Sequence, residues 1–207
     1  MPRFAALLFI LFGLSACAVP GDVDGPPAEL GDFRLGHNVV VAPNLVKGPA
    51  SREASREEWI AAMTSAVEAR FGRYEGGGLY HLGISVEGYV LAVPGVPVLA
   101  APKSVLILKV TVWDDAAGRK LTPKPRQFTI LEPLTGDAVV GSGLTQTKQE
   151  QMQVLSRAAV RRIESWLQER HAEEGWFTVR EPAGGSGATG AQEPIESAEQ
   201  AAPPGAS

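Results

Sequence analysis

The side chains best suited to chemistry are one thiol, Cys17, and three histidines, His37, His81 and His171, and they stand far apart in a chain of 207 residues. A local metal site needs a second ligand at helical i, i+4 spacing or a Cys-X-X-Cys pair, and none of the three histidines has either. Each reads as a histidine that hydrogen-bonds a neighbour. Gly141-Ser142-Gly143 is too short for the G-X-S-X-G turn of a nucleophilic serine and reads as a loop before a helix. Gly76-Gly77-Gly78 neither follows a strand nor opens a helix, which argues against a phosphate cradle. Asp114 and Asp115 suit a tight turn better than a cation site. No catalytic residue, metal ligand or cofactor is therefore expected, and the chain reads as a non-enzyme.

Cys17 is set apart by its position. Met1-Pro2-Arg3 makes a short positive start, and residues 4–14 form an apolar run too short to cross a bilayer, which together is a signal-peptide profile. The run closes on Leu14-Ser15-Ala16-Cys17, which resembles the lipobox of lipoproteins processed by signal peptidase II. That resemblance implies removal of residues 1–16 and lipid attachment, with palmitate or similar acyl chains, at Cys17. One acyl chain, at roughly 0.8 kcal/mol per buried methylene, holds a protein only reversibly, whereas two or three hold it durably. Ala18 stands where an inner-membrane retention signal of the enteric type would place Asp, so the resemblance implies the periplasmic side of the outer membrane. An ordinary secretory signal with a stray cysteine is the plainer alternative.

The formal net charge of −4 gives no basic excess of the kind that nucleic-acid binding needs. With its single cysteine acylated the chain has no disulfide, so a packed core must stabilise it. Residues 17–30 are rich in Gly, Pro and Asp and read as a flexible tether, and residues 181–207, with Ile195 the one large apolar residue, read as a disordered Gly/Ala/Pro/Glu tail. Residues 31–180 are expected to form one α+β domain.

Within it, Phe33, Leu35, His37, Val39 and Val41 alternate along a first strand that Pro43 ends. Ser55 and Glu58 form a capping box for a helix with Ile60, Met63, Val67 and Phe71 on one stripe. Tyr80, Leu82, Ile84, Val86 and Val90 mark a half-buried strand, and Leu106, Leu108, Val110 and Val112 mark the next. Asp114 to Gly118 then turns the chain. Short strands are expected at 119–122, 127–131 and 138–140. Thr147 and Glu150 cap a last helix whose stripe is Met152, Leu155, Ala159, Ile163 and Trp166, with Arg157, Arg161, Arg162, Glu164 and Glu169 on the remaining surface. It is expected to end near Arg170 or His171, with Trp176 and Phe177 as a clasp on the core.

This order predicts one mostly antiparallel sheet with two helices packed on one face. Over about residues 25–180 it loosely resembles small envelope lipoproteins whose tethered α+β domain serves a larger machine. The resemblance implies a non-enzymatic accessory component of an envelope assembly or transport complex, with envelope proteins and, through its lipid, a membrane as partners. A small-ligand or lipid-binding module, using the groove between helices and sheet, is the second reading. Two segments are candidate contact surfaces. One is the uncharged stretch 88–102, where Val93, Val96, Val98 and Leu99 lie among prolines that interrupt pairing. These side chains either cover the open end of the core or form an exposed apolar tip for a partner or membrane. The other is Arg119, Lys120, Lys124 and Arg126, four cations within eight residues, suited to a solvated loop, to anionic headgroups or to an acidic partner.

Overall fold

The computed structural model describes residues 25–93, 104–132 and 146–179. Its elements run β1 (Phe33–Val41), β2 (Val46–Lys47), α1 (Arg56–Phe71), β3 (Gly78–Val90), β4 (Val105–Asp114), β5 (Arg119–Lys120), β6 (Arg126–Leu131) and α2 (Lys148–Glu174). The class is α+β, as the alternating periodicities predict, but the sheet is mixed rather than mostly antiparallel. β1 and β2 both pair in parallel with β3, while β4 runs antiparallel to β3, β5 and β6. The cause is α1, a crossover that returns the chain to the sheet in its original direction.

Both capping boxes form. The Ser55 hydroxyl accepts from the Glu58 amide and the Glu58 carboxylate accepts from the Ser55 amide, and Thr147 and Glu150 repeat the exchange. α2 continues past His171 to Glu174, where Gly175 at φ 66° closes it in a left-handed conformation that disfavours any side chain. Trp59, Met63, Val67 and Phe71 of α1 and Leu155, Ala159, Ile163 and Leu167 of α2 are buried against Tyr80, Leu82, Leu106, Leu108 and Val110 of the sheet. Phe177 is fully buried and stacks edge-on against Phe33, 5.1 Å between centroids, so the clasp after α2 exists.

Strict alternation fails at two bulges. Leu35 pairs with Tyr80 but Asn38 pairs with Leu82, so β1 carries one extra residue. Beyond it the inward positions are Asn38, Val40 and Ala42, and Val39 and Val41, expected with Phe33 on the core face, are 52% and 44% exposed. β3 bulges at Glu87, between the pairs Val86–Leu108 and Gly88–Ile107. Tyr89 and Leu91 thereby turn inward in place of Val90.

The Gly76-Gly77-Gly78 run serves close approach. A Cβ on Gly76 would lie 2.3 Å from the Asp32 carbonyl carbon, and the Gly78 amide donates to the Asp32 oxygen at 2.9 Å. The segment ahead of β1 is thus laid across the start of β3.

Candidate functional site

The cations of the 119–126 segment are positioned by the way the sheet edge is interrupted. β5 pairs Arg119 with Asp114 and Lys120 with Trp113. The Val112 backbone then takes the Leu121 amide at 2.9 Å and gives its own amide to the Thr122 hydroxyl at 3.1 Å. Pro123 and Pro125 have no amide to offer a ladder, so Lys124 stands out on a step before pairing resumes at Arg126, opposite Val110. Facing this step is the C-terminal half of α2, and between them lies an open cleft of about 440 Å³. The Arg126 guanidinium sits 6.0 Å over the Phe128 ring, Phe128 meets Trp166 edge-on at 5.5 Å, and Trp166 meets Trp176 in the same way at 5.5 Å. The cleft therefore has a basic rim and an aromatic wall.

On its acidic side two arginines are shared among three carboxylates. Arg170 pairs with Glu173 and, at 2.5 Å, with Glu174, and Arg162 lies 4.0 Å from Glu169. The Trp176 indole donates to Glu174 at 2.6 Å, and that bond, followed by Arg170, holds the Glu174 carboxyl below its ordinary value. Arg119, Lys120, Lys124 and Arg126 are all exposed, and none makes an ion pair among the described residues. The sequence places these four on one segment. It does not show Trp166 and Trp176, 40 and 50 residues beyond Arg126, as the wall that faces them.

A second constellation fastens the chain where it reaches the fold. Arg70 of α1 grips Glu164 of α2 through two bonds, Nε to Oε1 at 2.8 Å and Nη2 to Oε2 at 2.6 Å, with both side chains 6% exposed. The same guanidinium donates to the Gly25 and Pro26 carbonyls at 2.9 and 3.0 Å, Arg73 donates to Gly25 at 3.0 Å, and the Ala28 amide donates to Glu164 at 3.3 Å. Tyr74 also donates to Glu164, and burial, then the carboxylate beside it, pushes the phenol well above its ordinary pKa. Two sequence expectations are corrected here. Glu164 belongs to the interior rather than the remaining surface of α2, and the loose tether cannot extend to residue 30, because residues 25–30 are held and Leu30 is buried.

His37 and His81, 44 positions apart, meet at the β1 bulge with ring centroids 4.7 Å apart. The His81 Nδ1 accepts the His37 amide at 2.8 Å and its Nε2 lies 3.0 Å from Asp115, so each nitrogen of that ring has a partner. His171 stacks on Phe177. Among the described residues no group of three or more His, Cys, Asp or Glu is arranged to hold a metal.

The strand pairings give the fold two distinct ends. Residues 25–32, the turn at 115–118 and the last turn of α2 share one end, since the Asp32 amide donates to Phe177, Gly78 donates to Asp32, and Asp115 donates to Leu79. At the other end β3 stops and β4 starts, and Gln151 at the start of α2 donates to Ala92. The uncharged stretch leaves and returns there: Val93 is half-buried, and the Ser104 hydroxyl accepts the Ala92 amide at 3.2 Å. Val96, Val98, Leu99, Cys17, the 138–140 strand, Gly141-Ser142-Gly143 and the tail at 181–207 lie outside the described residues. The room that a ligand would need between helices and sheet is filled by Trp59, Met63, Leu155 and Ile163, each 0% exposed. A groove of about 410 Å³ lies instead on the outer surface between α1 and α2, lined by Ala62, Ser65 and Met152 among others.

No protein-family model matches the sequence, and no curated protein is significantly similar to it. Solved structures that resemble it include a protein of the DUF330 family from Xanthomonas campestris, 12% identical over 67% of this chain and 82% of that one, with a TM-score of 0.37. A minor lipoprotein from Acinetobacter baumannii is 15% identical over 61% of this chain and 93% of its own, with a TM-score of 0.28. PelC from Paraburkholderia phytofirmans, described as a dodecamer, is 17% identical over 64% and 92%, with a TM-score of 0.29. At these TM-scores the likenesses carry no argument about what this chain does.

Proposed function

We propose that this chain is a lipid-anchored envelope protein, acylated at Cys17 and facing the periplasm from the outer membrane, and that it is a non-enzymatic accessory component of an envelope assembly or transport complex. The observation that carries this reading is the polarity of the fold. Residues 25–30 are bolted to both helices at one end by Arg70 and Glu164, while the 94–103 and 133–145 connections leave and return at the other. From Cys17 to Gly25 there are eight residue steps, which span at most about 29 Å. The 13 residues of β3 extend for about 40 Å. A short leash on a longer body leaves the far end open to a partner in the periplasm.

Replacing Cys17 with serine is expected to abolish labelling by fatty acid and leave an uncleaved or soluble product, while the native chain sediments with outer-membrane fractions in a density gradient. Undiminished labelling of the serine form would sink the reading. For the far end, Val96→Ser combined with Leu99→Ser is expected to leave the melting temperature nearly unchanged and to weaken co-purification of envelope proteins with the lipidated chain. If these side chains cover the core instead, each loss costs about 1.5 to 3 kcal/mol and binding is unchanged.

A further inference from the structure

We infer that the 119–126 edge is a headgroup-binding surface, which sets the fold down on the anionic phospholipids of the membrane that holds its anchor. The inference rests on the tethered reading above and adds to it a surface, its residues and its lipid chemistry.

Charge is the first argument. Lys47, Lys109, Lys148, Arg162 and Arg170 each face a carboxylate, whereas Arg119, Lys120, Lys124 and Arg126 face none among the described residues. The acids nearby are committed elsewhere: Glu173 and Glu174 to Arg170, Glu169 to Arg162, Asp115 to His81, and Asp114 to the Ala117 amide within its own turn. Six cations thus stand against five carboxylates here, and the four that make no ion pair among the described residues are gathered on the 119–126 segment, although the chain as a whole carries −4.

Position is the second. β5 pairs with the last two residues of β4, which lie level with Tyr80 and hence with the end of the sheet where residues 25–32 arrive. A leash of eight steps keeps this end within about 29 Å of the bilayer in every orientation of the fold. The neighbouring side chains are the third. Trp113, 38% exposed, is the cross-strand partner of Lys120, and Trp176 lines the cleft beside Lys124 and Arg126. Indoles flanking cations suit the depth at which headgroups meet acyl chains. A lipid anchor alone leaves orientation free. Four cations, each worth about a fivefold gain in residence at an anionic surface, would select one orientation.

The test is amide hydrogen exchange on the full lipidated protein, on vesicles of phosphatidylcholine mixed with phosphatidylglycerol against vesicles of phosphatidylcholine alone. The 119–127 amides are expected to exchange about tenfold more slowly on the mixed vesicles, and high salt is expected to remove the difference. Lys124→Glu with Arg126→Glu should abolish that protection while melting temperature and flotation stay as in the parent. Equal exchange on the two vesicle types, with the protein afloat on both, would overturn the headgroup surface and leave the anchor standing. Protection by an acidic peptide but not by phosphatidylglycerol would overturn it in favour of a protein partner. Failure to float on either vesicle would overturn the tethered reading and this inference with it.

Discussion

Replacing Arg70 with alanine is expected to lower the unfolding free energy by about 3–5 kcal/mol, because it leaves Glu164 buried with no cation to balance it. The loss exceeds that of a surface ion pair by several-fold, since exposed pairs contribute about 1 kcal/mol or less. Two further consequences distinguish this from simple loss of packing. The Gly25 and Pro26 carbonyls lose donors, so the Ala28 amide should exchange faster even under conditions in which β3 and β4 stay protected. Replacing both partners, Arg70→Met with Glu164→Leu, should recover most of the stability and none of the hold on residues 25–26. Denaturant unfolding of the two variants beside the parent checks the first claim and exchange at Ala28 checks the second. Equal stability of Arg70→Ala and the parent would show that the pair is not buried as described.

Leu108→Asp and Ile163→Asp are each expected to abolish cooperative unfolding. Both positions are 0% exposed, one on β4 and one on the stripe of α2, and both belong to the hydrophobic core cluster. Burying a carboxylate without a partner costs several kcal/mol, a large share of the stability of a domain this size. The expected signature is loss of the sigmoidal melt with helical content partly retained, read by far-ultraviolet circular dichroism against near-ultraviolet signal. A cooperative transition within a few degrees of the parent, for either variant, would mean that its side chain is not in the core.

What the residues announce on their own follows from local physics. Ser55 with Glu58 and Thr147 with Glu150 mark helix starts because both partners of each capping exchange lie within four residues. Leu106, Leu108, Val110 and Val112 show an unbroken period of two, and β4 has neighbours on both sides and no bulge in its pairing with β6. Where the reading fails, the cause is non-local. A one-residue bulge at 36–37 exchanges the faces of β1, and its position depends on how β3 lies alongside. Parallel pairing of β1 with β3 is implicit in the strand–helix–strand order, whereas the later turns suggest a meander and so make a mostly antiparallel sheet the expectation.

The candidate site divides likewise. The basic segment is legible because its cations are close in sequence, while its aromatic wall comes from α2. Arg70 and Glu164 are 94 positions apart, and each taken singly is an ordinary charged residue on a helix. The available signal was that each sits beside buried stripe residues, Phe71 in one case and Ile163 in the other, so a charge at that angle needs a counter-charge on the facing helix.

The bolt between Arg70 and Glu164 also decides how mechanical load would travel. Tension applied to the chain ahead of Gly25 meets the guanidinium of α1 and, through its bidentate partner, the backbone of α2 before it can reach β1. The pull is shared between two helices at the C-terminal end of α1, where Phe71 and Ile163 back the pair from the core, and the edge strand is spared from being peeled off its single neighbour one hydrogen bond at a time.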